Sequence, residues 1–448
     1  MLVTFLDSRQ VRYLTVIFSF SVLLAAACTP PDNSGLNRSN TISNTNTAVA
    51  ASNSNTSVSA EQAAGRPVTL PLLGAMLTDD SFVNEAKSTL QITDEQIQKL
   101  REASQNAVSN LDESDEDSRS TRAAKDRADT QIREVLGPEK AGRFISLVQQ
   151  RWGGENESGS LAAKPNSVPT DTRIVVNAPA YRMDIFKEGK LSKSYKIGIG
   201  YPEFPLPTGL RKANTIIFNP TWTPPDEPWV KGDVQAGKKV EAGDKLNPLG
   251  PIKIPIGLPS LIHGGKSPAR LGTFASHGCV GLTSPQVQDF AMELSNLSGE
   301  PITLQDIKNY EKTKTETKEV KLGQAIPVEL RYETIVVEDG KLKIFRDVYE
   351  RGTNTEENLR MVLEIYGVSL DNLKDREKIL AGLTQMAVDS QGKAVEQKSS
   401  VNSNISNKSS NSGDGSVTKN IKGKKEVVFV LAELKGKGYP APVGIKAG

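Results

Sequence analysis

Between residues 67 and 153 the apolar positions recur at helical spacing. Ile97, Leu100, Ala103, Ala107 and Leu111 lie three or four residues apart, as one face of a helix does when it meets a core. Thr93-Asp94-Glu95-Gln96 heads that stripe as a capping box, with Thr93 capping and Gln96 reaching back. A second helix carries Ile132, Val135 and Leu136 and stops at Gly137-Pro138. A third carries Phe144, Leu147, Val148 and Trp152 before Gly153-Gly154. The pattern predicts a small α-helical domain, serving as a spacer or a docking unit.

From Arg173 the period changes to two. Ile174 and Val176 alternate with their neighbours, Tyr181, Met183 and Ile185 do the same, and Glu188-Gly189 supplies a hairpin turn into a returning strand over 191–200. Prolines then recur from Pro202 to Pro259, which excludes most helix interiors and central strand positions and predicts a β-rich domain with long ordered loops. A helix is expected from Pro285 to Leu297 with Ser284 as its cap. A charged run, Glu311 to Lys321, reads as a linker. Residues 325–387 predict a β-hairpin, turning at Asp339-Gly340, followed by a helical pair. A last strand is expected within Val427 to Leu434.

The ends and joints carry a different pattern. Arg9 and Arg12 precede an apolar stretch from Leu14 to Ala27, then Cys28. That run is short of the ~20 residues a membrane-spanning helix needs, and with its charged flank and small residues it reads as a secretory signal peptide. The tract after Cys28 is rich in Asn, Ser, Thr and Ala, too poor in apolar surface to fold, and reads as a flexible tether. The expected organisation is a signal peptide over 1–28, tether 29–66, helical domain 67–153, linker 154–172, β-rich domain 173–306, charged linker 307–324, hairpin plus helices 325–387, low-complexity linker 388–424 and C-terminal strand 425–448.

Composition narrows the function. In 448 residues, 55 Lys and Arg balance 53 Asp and Glu, which gives no electrostatic case for a nucleic-acid partner. Two cysteines, Cys28 and Cys279, build no disulfide framework. Both histidines, His263 and His277, fall near Cys279 in a glycine-rich segment: Ile262-His263-Gly264-Gly265, then Ser276-His277-Gly278-Cys279-Val280-Gly281. A thiol near its reference pKa of ~8.5 is only a few per cent ionised at neutral pH, so a nucleophilic cysteine needs a base beside it. Histidine is the side chain suited to that work, and flanking glycines let amide N–H groups face a developing oxyanion. Two other readings of the segment stand beside this one. A zinc site from His263, His277 and Cys279 lacks a fourth ligand and the usual spacing; a buried, inert cysteine would leave both histidines structural.

His-Gly-Gly followed by Ser-His-Gly-Cys resembles the signature of the L,D-transpeptidase catalytic domain (YkuD-like). Pro207-Thr208-Gly209, Asn219-Pro220-Thr221-Trp222-Thr223-Pro224 and Asn247-Pro248-Leu249-Gly250 are similar to further landmarks of that family, over about residues 172–306. The resemblance implies a mainly-β, sandwich- or barrel-like catalytic domain with a short helix after the cysteine motif. It implies that Cys279 attacks the third residue of a tetrapeptide stem and expels D-alanine, with His263 as base and the Gly264 carbonyl orienting the imidazole. Amides at Gly278 and Cys279 would serve as oxyanion donors, and Ser276 and His277 as supports. The acyl group would pass to a second stem in a 3→3 cross-link, with no metal or organic cofactor. Trp222, Asn247 and Arg270 are candidate groove residues, and Trp229 could join them; as isolated aromatics, Trp222 and Trp229 read more readily as core.

The family usually carries Arg or Asn where this chain has Gly281, which removes a carboxylate ligand or a loop brace. Arg270 or Arg211 would then have to substitute. Water or a protein amine as acceptor, or an inactive wall-binding lipoprotein, are the competing functions. The small residues before Cys28 also resemble a bacterial lipobox, implying lipidation of Cys28 and a membrane-anchored, periplasmic location at the cell envelope, with peptidoglycan stems as partners.

Overall fold

The computed structural model describes residues 66–109, 120–153, 164–224, 233–235, 237–390, 392, 394–395, 421 and 423–445. The signal peptide and Cys28, the tether up to residue 65, Leu111, Trp229 and most of the 388–424 linker lie outside the described residues.

The helical region holds α1 (Leu70–Met76), α2 (Asp80–Leu90), α3 (Asp94–Ser109), α4 (Thr121–Leu136) and α5 (Pro138–Gly153). The Thr93 capping box is present: Gln96 N–H donates to Thr93 Oγ1 at 3.2 Å, and Thr93 N–H to Gln96 Oε1 at 3.1 Å. Phe82, Phe144 and Trp152 are the large side chains of this core, with Leu100 and Ile132 beside them.

The β-rich region is one curled, mixed sheet. Its strands are β1 (Arg173–Asn177), β2 (Arg182–Lys187), β3 (Lys190–Lys196), β5 (Gly209–Phe218), β6 (Ile252–Pro255), β7 (Leu261–His263), β9 (Val280–Gly281) and β10 (Lys318–Arg331), in the order β3-β2-β1-β10-β5-β6-β7-β9. A separate parallel pair joins β4 (Ile199–Gly200) to β8 (Phe274–Ser276). The β2–β3 hairpin turns at Glu188-Gly189, both with positive φ, as a two-residue hairpin of the primed type requires. α6 (Ser284–Leu297) packs Val287, Phe290 and Leu294 onto the sheet core.

Two expectations need correction. Thr283, not Ser284, caps α6, because its side chain and that of Gln286 bond each other's backbone reciprocally. The segment 307–324 is not a linker. α7 (Leu304–Lys312) occupies its start, and from Lys318 the chain becomes β10, which lies between β1 and β5 in the middle of the sheet. Lys318, Glu319 and Lys321 are exposed while Val320 and Leu322 pack on the core, so charge alternation here marks a half-solvated strand. The β-rich domain therefore closes only at Arg331.

Beyond it, β11 (Ile335–Glu338), β12 (Lys341–Phe345) and β13 (Glu426–Val430) form an antiparallel sheet against α8 (Glu356–Ile365) and α9 (Arg376–Met386). No described helix is long and apolar enough to cross a membrane.

Candidate active site

The site is set by parallel pairing of β7 with β9, which puts Ile262 opposite Val280 and His263 opposite Gly281. Ile262 and Val280 are fully buried in the sheet core. Side chains alternate along a strand, so His263 and Gly281 fall on the other face, and Cys279 sits in the bend that leads into β9 beside them. A strand pair thus unites the two motifs that the sequence holds apart.

His263 is 3% exposed and its Nδ1 lies 2.8 Å from the Gly264 carbonyl. A carbonyl only accepts, so Nδ1 carries the proton and Nε2 keeps its lone pair for work as a base. Burial pushes the imidazole down to about 3, and the nearby Lys266 charge adds to that. It therefore rests neutral. Gly264 holds this position because a Cβ there would meet Val287 Cγ1 at 2.6 Å and Pro251 Cδ at 3.2 Å. α6 and the 247–251 loop thus close on the backbone that orients the His263 imidazole.

Cys279 is 8% exposed. Burial raises its thiol pKa, while a backbone hydrogen bond from Leu261 and the Lys266 charge act the other way. The thiol lies 4.0 Å from the His277 carbonyl. The turn before it is closed by Ser276, whose Oγ accepts from Cys279 N–H at 3.1 Å and donates to the Cys279 carbonyl at 2.5 Å. Gly278 takes φ +82° within that turn, a conformation glycine adopts without strain. Of the two amides that the resemblance assigns to an oxyanion, the one at Cys279 is already engaged by Ser276.

Residues 171–303 match the family model of the YkuD L,D-transpeptidase catalytic domain. This segment is an L,D-transpeptidase catalytic domain.

No curated protein matches the chain. Among solved structures, the catalytic domain from the E. faecium L,D-transpeptidase is 19% identical, covering 37% of this chain and 100% of that one, with a TM-score of 0.23. An L,D-transpeptidase from Mycobacterium smegmatis is 15% identical, covering 36% and 58%, with a TM-score of 0.22. One from Mycobacterium tuberculosis is 14% identical, covering 36% and 57%, with a TM-score of 0.21. The chain spans about half the length of the first longer structures it matches.

Around this site, His277 is wedged edge-on between Tyr201 and Phe204, with ring centroids 5.0 and 4.7 Å away. Arg270 donates to the Tyr201 hydroxyl at 3.2 Å. Arg211 is buried and bonds the Leu258 carbonyl, in a part of the sheet beneath Gly257. Asn247 spends its side chain on its own loop, donating to the Pro220 carbonyl at 2.8 Å and accepting from Leu249 N–H. Trp222 pairs its backbone with Val240, and its side chain is half-buried.

The segment 200–208, which carries Tyr201 and Phe204, is buried along its whole length and held from two sides. From the helical region, Thr69 Oγ1 donates to the Glu203 carbonyl, Thr121 Oγ1 to the Pro202 carbonyl, and Arg66 Nε to Thr208 Oγ1. From the C-terminal side, Tyr349 Oη donates to the Gly200 carbonyl at 2.8 Å and Arg351 to the Leu206 carbonyl. The flanking parts, for which composition suggests no role, buttress the segment that packs on His277. Lys266, which no sequence motif marks, acts electrostatically on both His263 and Cys279.

Proposed function

We propose that the protein is a peptidoglycan L,D-transpeptidase that forms 3→3 cross-links through a Cys279 acyl-enzyme. The observation that carries this reading is the β7–β9 pairing, which brings His263, with its imidazole oriented by Gly264, beside the bend that carries Cys279.

Attack by Sγ on the carbonyl of the third stem residue forms a C–S bond, while His263 Nε2 takes the thiol proton. Collapse breaks the C–N bond to D-alanine, and the imidazolium returns that proton to the leaving amine. A side-chain amine of a second stem then attacks the thioester. The new amide forms, the C–S bond breaks, and the amine proton passes through His263 back to the thiol. Because thiol and imidazole both rest neutral, proton transfer accompanies attack rather than preceding it. Gly278 N–H is the amide left to face the oxyanion. Lipidation at Cys28 would hold the enzyme at a membrane of the envelope, beside its peptidoglycan substrate.

The test incubates the detergent-solubilised full chain with disaccharide tetrapeptide and resolves products by mass spectrometry. A 3→3 dimer that disappears in Cys279→Ala is expected. Monomer trimmed of D-alanine alone would make water the acceptor. Binding with no product and no covalent β-lactam adduct would make the protein a wall-binding lipoprotein. For the anchor, a fatty-acid probe should label the wild type and not Cys28→Ser.

A further inference from the structure

Gly281 has ordinary extended neighbours and needs no positive φ, so its lack of a side chain calls for another reason. A Cβ placed there would lie 2.9 Å from Lys266 Cγ, 3.2 Å from Cε and 3.5 Å from Cδ. The Lys266 stem therefore lies flat along β9 in the space a residue-281 side chain would fill. Its backbone is tied to the same strand end, Lys266 N–H donating to the Leu282 carbonyl at 3.0 Å. Gly281 shares its face with His263 across the pair, and Cys279 lies two residues earlier in the bend that leads into β9.

We propose that Lys266 is the positioning cation of the thiol site, laid over Gly281 so that its ammonium stabilises the Cys279 thiolate as it forms. This rests on the nucleophilic role given to Cys279 above and deepens it. The charged groups facing the thiol are few. His263 comes from β7 and rests neutral. Lys266 comes from the loop after β7, and Arg270, beyond Lys266, acts on it as a like charge. Among the described residues, no carboxylate acts on Lys266 or Cys279. Burial and Arg270 push the Lys266 ammonium down to about 8, while Cys279 acts to hold it charged. A cation without a carboxylate partner is free to serve an anion that exists only during reaction. The same charge lowers the thiol and the imidazole alike, so Lys266 eases formation of the thiolate while keeping His263 neutral until attack begins.

The test is the pH profile of Cys279 alkylation by iodoacetamide in the full-length protein, with the modified peptide identified by mass spectrometry so that Cys28 does not interfere. In Lys266→Met the midpoint should move up by about one unit, making alkylation at pH 7 roughly tenfold slower. Lys266→Arg should stay close to wild type. Gly281→Ala keeps the charge but displaces the stem, and should move the midpoint in the same direction; it decides the matter if Lys266→Met does not fold. Unshifted profiles in Lys266→Met and Gly281→Ala would overturn the proposal, as would equal shifts in Lys266→Met and Lys266→Arg. No substrate is present, so the result stands apart from whether Cys279 transfers acyl groups to stem peptides.

Discussion

His263 and Gly264 are bonded to each other twice, once through the chain and once through space, the imidazole Nδ1 donating to the next residue's own carbonyl at 2.8 Å. The imidazole is thereby oriented by backbone rather than by a carboxylate. Backbone hydrogen bonds to Gly264 and Leu249 favour the charged imidazole, but burial and the Lys266 charge outweigh them and keep it neutral. The orienting group cannot be mutated away, but the space around it can be filled.

Gly264→Ala should do that. Its Cβ would press on Val287 Cγ1 and Pro251 Cδ, so either α6 or the 247–251 loop must shift. Overpacking of this kind costs about 1–3 kcal/mol. Urea denaturation should show the loss, and cross-linking should fall more steeply than stability alone explains, since the imidazole moves with the backbone.

Ser276→Ala removes both bonds that close the turn at Cys279. It leaves the buried Cys279 carbonyl without that donor, a loss of about 1–3 kcal/mol. If the turn survives, the Cys279 amide is released toward the substrate. Thermal melts and acylation rates measured together separate the two effects; a variant with full stability and full rate would show that Ser276 does neither job.

Acid should destabilise the fold through His263. Its pKa is about 3 when folded against an ordinary 6.5, so between those values the unfolded chain binds the proton and the native state does not. Stability then rises with pH across that window and is lost as pH falls, by up to ~1.4 kcal/mol per pH unit from this group. Denaturation midpoints at pH 4 to 7 should fall less steeply in His263→Gln than in wild type. Equal slopes would place the imidazole in contact with solvent.

Tyr349→Phe removes the bond to the Gly200 carbonyl while keeping the ring stacked near Phe274 and Tyr332. The expected cost is about 1–3 kcal/mol for the carbonyl left buried. If the C-terminal module supports the active site through segment 200–208, turnover should drop as well, with the His277–Tyr201 contact loosened. Unchanged turnover beside reduced stability would confine Tyr349 to the fold.

Local patterns made much of this legible. Helical spacing and the Thr93 box predicted the helical region, because caps and stripes are short-range devices. The Glu188-Gly189 turn predicted the β2–β3 hairpin, because positive φ at both positions is a property of two residues. The charged run from Glu311 misled for a physical reason. A strand that alternates charge with Val320 and Leu322 looks like a linker until β5 supplies its hydrogen bonds. The cap of α6 slipped by one residue because Thr283 and Ser284 are both good caps, and Gln286 decides between them.

The sequence by itself singled out Cys279 and His263, since reactive residue types concentrated among glycines carry their chemistry in their identity. Tertiary structure decided how they meet. Pairing β7 with β9 is a long-range event that no local signal encodes, and it brings the strand end of His263 beside the bend that carries Cys279. It also decided what stands over Gly281. Arg270 and Arg211, the cations a reader of the sequence would choose, bond elsewhere, and Lys266 lies in the gap. That assignment depends on which side chain fills a few ångströms of space, and only packing settles such a question.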